Sequence, residues 1–135
     1  MSKRMIKNKY TIHQHNAKRA GPHFDIRLEK GNEVHSFALP KNKLPDEKHV
    51  YLAIKTHVTY NDKSILDFYG QIPYNKYGAG DVIIFDQGYY NILDWPTDSN
   101  KIIFEVPYQN GGQALFGIYY FVKIKENQFI FGKKK

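Results

Sequence analysis

Three side chains that could do chemistry alternate with apolar residues in the stretch AGPHFDIRLEKG, residues 20–31. His23, Asp25 and Arg27 are separated by single apolar positions. Because successive side chains of a β-strand point to opposite faces, a strand over 23–28 places these three on one face, roughly 6–7 Å apart. An imidazole and a carboxylate can bind a metal ion, and a guanidinium can bind a phosphate. The same alternation is typical of any solvated sheet, so alone it leaves a purely structural interpretation open.

Two more histidines extend this pattern toward the N-terminus. His13 and His15 share one face of a predicted strand over 9–15. If that strand pairs with the next one, His15 approaches His23 and Asp25, while we expect His13 to be a neighbour of the site rather than a ligand. Two imidazoles and one carboxylate on one face leave coordination positions open on an octahedral ion such as Mn²⁺ or Fe²⁺. A structural zinc site would instead close its shell with four protein ligands.

Two further side chains suit a phosphate held beside such an ion. Arg27 lies one step along the same strand face and offers a planar fork of donors for a phosphate oxygen. His57 ends another predicted strand and could bind the same phosphate or donate a proton to a leaving group.

The elements that must position these side chains are short strands separated by Gly, Pro and Asn turns. Such spacing predicts a mostly β fold with little helix, either an antiparallel sandwich or a barrel. Helical turns are expected only at AKRAG and LPDEKH, and the glycines of YGAG, residues 77–80, are assigned to the backbone of a turn. The predicted strands are 9–15, 23–29, 33–39, 50–57, 66–72, 81–93, 101–107, 116–125 and 128–134.

Composition sets limits on the kind of protein. The chain has 135 residues, 41% of them hydrophobic, which fits a basic N-terminal tail over 1–9 and one domain over 10–133. It has no Cys, so any metal must bind His, carboxylate or backbone oxygen. No apolar run approaches the ~20 residues of a membrane span, and no signal sequence follows the basic start, so we expect a cytoplasmic protein without a membrane partner. The net charge of +7 points weakly to nucleic acid, because much of the excess lies in the terminal segments.

Several ordered motifs resemble one family, the 3′-phosphoesterase domain of bacterial ligase D. HNAKRAGPHFDIRLE, residues 15–29, resembles its metal-binding signature. SFALPK (36–41), DFYGQIPYNKYGAGDVIIFDQGYY (67–90) and the C-terminal FGIYYFVKIKENQFIFGKKK (116–135) are similar to later motifs in the same order. The resemblance therefore covers nearly the whole chain, from about residue 10 to 133.

This resemblance implies a DNA-repair enzyme whose fold is mostly β, a single compact antiparallel β-barrel with little helix, and we expect it here as a stand-alone domain. It implies a divalent metal cofactor, Mn²⁺ first, and removal of a 3′-phosphate, and of a 3′-terminal ribonucleotide, from DNA or RNA–DNA primer ends. We expect the chain to work alone or to supply ends to a ligase or polymerase in trans. Position by position, the resemblance assigns metal binding to His15, His23 and Asp25, catalysis to Arg27, His57 and Tyr60, and nucleic-acid contact to Lys41.

Two departures keep alternatives open. Asn16 stands where the family commonly has Asp, and the short segment before the first strand contains no acidic residue. One alternative is a non-catalytic module that binds nucleic-acid ends on the same barrel. The other is a phosphodiesterase that acts on small or cyclic nucleotides.

Overall fold

The computed structural model describes residues 8–73, 75–76 and 79–135. Within these ranges the chain forms nine strands and one short 3₁₀-helix. The strands are β1 (Asn8–Ala17), β2 (Gly21–Lys30), β3 (Glu33–Leu39), β4 (Tyr51–Tyr60), β5 (Gly70–Ile72), β6 (Gly80–Asp94), β7 (Lys101–Val106), β8 (Gly117–Lys125) and β9 (Gln128–Lys133), and the 3₁₀-helix is Ser64–Asp67.

Eight of the strands close into an antiparallel barrel. The sheet runs in the order β1-β2-β3-β4-β9-β8-β7-β6, and β6 pairs with β1 to complete the ring, while β5 adds to β6 outside it. Closure leaves these eight strands without an unpaired edge. The predicted mostly β barrel with little helix is confirmed.

The barrel interior is filled by the apolar residues of the alternating pattern. Phe24, Ile26 and Leu28 of β2 point inward, so the polar residues between them lie on the outer face. Phe121 stacks on Phe131 at a ring-centroid distance of 4.3 Å in the middle of this core.

Three predicted elements differ from the structure. The segment predicted as a strand over 66–72 instead divides into the 3₁₀-helix and the short β5. Neither helical turn forms: residues 18–20 make the turn between β1 and β2, and residues 44–49 are irregular. In that loop Asp46 Oδ1 accepts hydrogen bonds from the backbone N–H groups of Lys48 and His49, which gives the backbone an alternative to helix.

Most of the predicted basic tail, residues 1–7, lies outside the described residues, whereas Asn8 and Lys9 belong to β1. Within the described ranges, no helix has both the length and the apolar composition that a membrane span requires.

Gly80 shows why the YGAG block needs glycine at its last position. Its φ is +138°, and a Cβ there would lie 2.1 Å from the backbone oxygen of Asn16. Only glycine permits β6 to begin this close to the end of β1. The predicted turn role of Gly78 lies outside the described residues.

Candidate metal centre

The register between β1 and β2 brings the predicted ligands together. His15 lies directly opposite His23, and His13 lies opposite Asp25. Directly opposed residues of an antiparallel pair share a face, and here that face is the outside of the barrel. The strand interpretation of residues 23–28 and its pairing with the preceding strand are confirmed.

His15, His23 and Asp25 form a compact group of donor atoms. His15 Nδ1 lies 3.2 Å from Asp25 Oδ2, and His23 Nε2 lies 3.3 Å from Asp25 Oδ1. One ligand atom from each residue lies within 4.8 Å of the other two. The Asp25 side chain is only 7% exposed, so the group is held in the protein rather than on its surface. Two imidazoles and a carboxylate at this spacing fit a divalent metal ion.

In this group a proton competes for the place that a metal ion would take. The hydrogen bond to Asp25 raises the pKa of His23, against the opposing effect of burial. Burial raises the pKa of the Asp25 carboxyl, but the hydrogen bond from His23 and the charge of Arg27 together lower it below its ordinary value. His23 Nδ1–H donates to the Gly21 carbonyl at 3.1 Å, which fixes the ring with Nε2 toward Asp25. Coordination requires a neutral imidazole, so a metal ion would replace the proton on Nε2.

Arg27 is buried beside this group and is held by two neighbours. Its Nη2 lies 3.5 Å from Asp25 Oδ2, and its Nε–H donates to His13 Nδ1 at 3.2 Å. His13 in turn donates from Nε2–H to the Phe68 carbonyl at 2.8 Å. Burial, and then the charge of Arg27, lower the pKa of His13 to about 4, so the ring is neutral and can accept from Arg27. His13 is thus a neighbour that orients the guanidinium.

His57 completes one row across three strands. It lies opposite Ser36 on β3, which lies opposite Arg27 on β2. Burial, and then the charge of Arg27, lower the pKa of His57. A neutral imidazole therefore faces the same space as the guanidinium.

A cavity of about 1120 Å³ opens over these groups, and we call it the site cavity. Its floor is the outer face of β1–β4, and residues 64–73, the cover segment, contribute Ile65, Phe68 and Ile72 to its lining. A smaller cavity of about 310 Å³ shares His57, Ile65 and Phe68 with it. His15, His23, Asp25, Arg27 and His57 all line the site cavity.

The structure does not bring Tyr60 and Lys41 into this lining. Tyr60 ends β4 opposite Glu33, is 61% exposed, and lies an odd number of residues from His57, on the other face of the strand. Lys41 is exposed just after β3, although its neighbour Pro40 lines the cavity. Among the described residues that line the cavity neither is present, and the predicted roles of both stay predictions.

Sequence reasoning missed several lining residues. Phe68 comes from a segment predicted as a strand, and its DFYG motif was the available signal. Lys18 and Arg19 lie between the predicted ligands in sequence, where their charge was visible but their position was not. Lys76 joins them from a segment far along the chain, and nothing in the sequence alone links the three.

Comparison with known proteins places this chain beside one family. The family model of the DNA ligase D 3′-phosphoesterase domain matches residues 13–123. The multifunctional non-homologous end joining protein LigD of Mycolicibacterium smegmatis is 32% identical over 136 residues, which is 95% of this chain and 17% of that protein. LigD proteins of Mycobacterium tuberculosis and Pseudomonas aeruginosa are 42% and 38% identical, each over 67% of this chain and over 12% and 10% of their own length.

The chain therefore spans less than a fifth of each of these three relatives. The match nevertheless begins at His13 within β1, covers all of β2 and runs through most of β8, so it includes the three candidate metal ligands. From the site geometry and these matches together, the chain belongs to the DNA ligase D 3′-phosphoesterase domain family.

Proposed function

We propose that this chain is a divalent-metal-dependent phosphoesterase that trims the 3′ ends of DNA or primer strands. The observation that carries the proposal is the placement of His15, His23 and Asp25 in one cavity with Arg27 and His57. A metal centre beside fixed phosphate-binding groups is the arrangement that phosphoester hydrolysis needs. We propose Mn²⁺ as the ion because the donor set is imidazole and carboxylate without thiolate.

His15, His23 and Asp25 would hold the ion. When bound, it would neutralise phosphate charge and lower the pKa of a coordinated water. Asp25 also anchors Arg27, so the same carboxylate links the ion to the phosphate-binding side chain.

Arg27 is proposed to bind the phosphate in a fixed orientation. Its Nε is occupied by His13 and its Nη2 faces Asp25. In the described part of the chain Nη1 makes no hydrogen bond, so it can donate to a phosphate oxygen. A guanidinium held this way loses little conformational freedom when the substrate binds.

His57 is proposed to donate a hydrogen bond to the same phosphate. Its lowered pKa keeps the ring neutral near pH 7, which favours hydrogen bonding over delivery of a proton to the leaving group. The proposed product is a 3′-OH end, which a ligase or polymerase in trans could use.

The proposal is tested by an end-trimming assay. One labelled primer–template carries a 3′-phosphate and a second carries a single 3′-ribonucleotide, and each is incubated with Mn²⁺, with and without a chelator. We expect chelator-sensitive conversion to a 3′-OH, and a more than 100-fold loss of rate in Asp25→Asn and His23→Ala. His49→Gln is the matched control, because His49 is an exposed histidine paired with Asp46 and does not line the site cavity.

Three other outcomes would contradict the proposal. If the ligand variants keep full activity, the metal-site assignment is wrong. If the folded protein binds Mn²⁺ by calorimetry and binds DNA ends in a salt-dependent manner without product, the chain is an end-binding module. Turnover of mononucleotides but not of primer ends would indicate a small-nucleotide phosphodiesterase.

A further inference from the structure

The site cavity has more positive charge than one phosphate requires. In the described part of its lining the charged side chains are Asp25, Arg27, Lys18, Arg19 and Lys76. Arg27 is buried against Asp25, whereas Lys18, Arg19 and Lys76 are exposed at the cavity opening, and we call these three the rim cations. Four positive groups therefore face a single carboxylate.

Backbone hydrogen bonds join the two segments that carry the rim cations. The Lys18 N–H donates to the Ala79 carbonyl at 2.8 Å, and the Ala79 N–H donates to the Lys76 carbonyl at 3.2 Å. The β1–β6 register, which pairs Ala17 with Gly80, sets this junction. Two segments about 60 positions apart thus present their positive side chains at one opening.

A 3′-terminal phosphate would be bound by the ion, Arg27 and His57, so a role for the exposed Arg19 and Lys76 beside Lys18 remains to be explained. Like charges gathered at a cleft focus a positive potential toward solvent, which attracts an anionic ligand. The cavity volume, about 1120 Å³, exceeds the roughly 300–1,000 Å³ of ordinary small-molecule sites. The opening therefore has room and charge for a second phosphate.

We propose that Lys18, Arg19 and Lys76 bind the phosphodiester one nucleotide back from the 3′ end, so that the site selects an oligonucleotide strand over a mononucleotide. This inference rests on the proposed function and names the substrate class for the same site. Phosphate contacts of this kind position a strand without reading its sequence.

The first test measures kcat/KM for a nucleoside 3′-monophosphate and for a 3′-phosphorylated dinucleotide, which adds one phosphodiester. We expect the wild-type protein to prefer the dinucleotide by about tenfold, the low end for a hydrogen bond to a charged group. In the double variant Arg19→Gln/Lys76→Gln this preference should fall to within about twofold. Both side chains are exposed, so folding should be unaffected.

Lys125→Gln is the matched control. Lys125 is an exposed lysine of β8, which lies four strands away from β2 around the barrel and outside the site cavity. It should keep the wild-type preference. If the double variant keeps the preference, or the control loses it equally, the inference is overturned.

A second measurement separates this inference from the proposed function. Binding of a fluorescent 3′-phosphorylated single strand is followed against salt with a chelator present, so that turnover plays no part. The slope of log affinity against log salt should fall by about 0.7 for each cation removed, or about 1.4 in the double variant. Strand binding with this change, together with no product when the same protein is assayed with Mn²⁺, supports the proposed role of the rim cations and refutes the proposed enzyme. The proposed role of the rim cations is refuted if the wild-type protein fails to bind strands, or if the double variant has the same slope as the wild type.

Discussion

Asp25 connects more functional groups than any other single residue of the site. Its two oxygens face His15 on one side and His23 on the other, and Oδ2 also faces Arg27. A buried carboxylate would be costly without such partners, and the three partners together keep its pKa low. One residue would therefore determine both where the proposed ion binds and where the guanidinium points.

His13 supplies a prediction about activity. His13→Leu removes the acceptor for Arg27 Nε–H and the donor to the Phe68 carbonyl, so we expect kcat/KM on a 3′-phosphorylated oligonucleotide to fall about 10–100-fold. His13→Gln offers one acceptor and one donor in a side chain of similar reach and should recover most of the loss. If the two variants are equally impaired, His13 contributes shape rather than hydrogen bonds.

His13 also predicts a pH dependence of stability. Its pKa is about 4 in the folded protein and near 6.5 in an unfolded chain. Between these two pKa values the unfolded chain binds more protons than the folded protein does. The contribution of neutral His13 to the free energy of unfolding is therefore complete above pH 6.5. As pH falls toward 4, the free energy of unfolding decreases by on the order of 2–3 kcal/mol. Urea unfolding at pH 7.5, 5.5 and 4.5, in chelator, should show a smaller loss for His13→Gln than for wild type. Equal losses would contradict the assignment.

At the scale of elements, the cover segment is attached to the outer face of the barrel by its backbone oxygens. The Leu66 carbonyl accepts from Thr11 Oγ1 and from Gln87 Nε2, both at 2.7 Å, and the Phe68 carbonyl accepts from His13. These side chains come from β1 and β6, so the ligand-bearing strand also holds the cavity wall. The part of the segment around Leu66 and Phe68, before β5, forms no strand because these carbonyls bond to side chains rather than to a neighbouring strand.

The junction between β1 and β6 gives a prediction about Gly80. Gly80→Ala places a Cβ against the Asn16 oxygen at a φ that L-residues rarely adopt, so we expect the free energy of unfolding to fall by about 2–5 kcal/mol. Gly31→Ala is the matched control, because Gly31 also has a positive φ but no atom within 4 Å of an added Cβ. It should cost only about 1–2 kcal/mol in denaturant unfolding. Equal costs for the two variants would show that the close approach is relieved elsewhere.

At the scale of the whole molecule, the barrel is stabilised by a continuous aromatic core while the chemistry lies outside it. Phe121 stacks with Phe131 and with Phe37, each at a ring-centroid distance of 4.3 Å. The site residues occupy the opposite face of β1–β4, where their partners are other polar groups and the cover segment. The core can therefore be altered without directly changing the metal site.

This separation predicts different effects for neighbouring residues of β8. Phe121→Ala removes a fully buried ring and should lower the free energy of unfolding by about 3–5 kcal/mol. Val122→Ala, on the outer face at 40% exposure, should change it by no more than about 1 kcal/mol. Chemical denaturation measures both. If Phe121→Ala lowers the free energy of unfolding as little as Val122→Ala does, the core is less tightly packed than the ring contacts indicate.

The sequence by itself determined the antiparallel β character of the fold and much of the candidate ligand set. Alternation over 23–28 fixed which residues of β2 face inward, because the side-chain period of a strand is two. Since β1 and β2 are joined by a short turn, they pair in antiparallel fashion, and this places His15 beside His23 and Asp25. Local pattern and chain proximity were sufficient for this part.

Only the tertiary structure decided what surrounds that group. The meeting of Lys18 and Arg19 with Lys76 depends on closure of the barrel between β1 and β6, a contact between distant parts of the chain that no local pattern encodes. The absence of a strand at residues 66–68 depends on hydrogen bonds to their carbonyls from β1 and β6 side chains, which the apolar residues of that segment do not reveal. The Phe68 carbonyl likewise reaches His13 from a distant part of the chain, so this partner of His13 exists only in the folded barrel, whereas Arg27 lies on the adjacent hairpin strand.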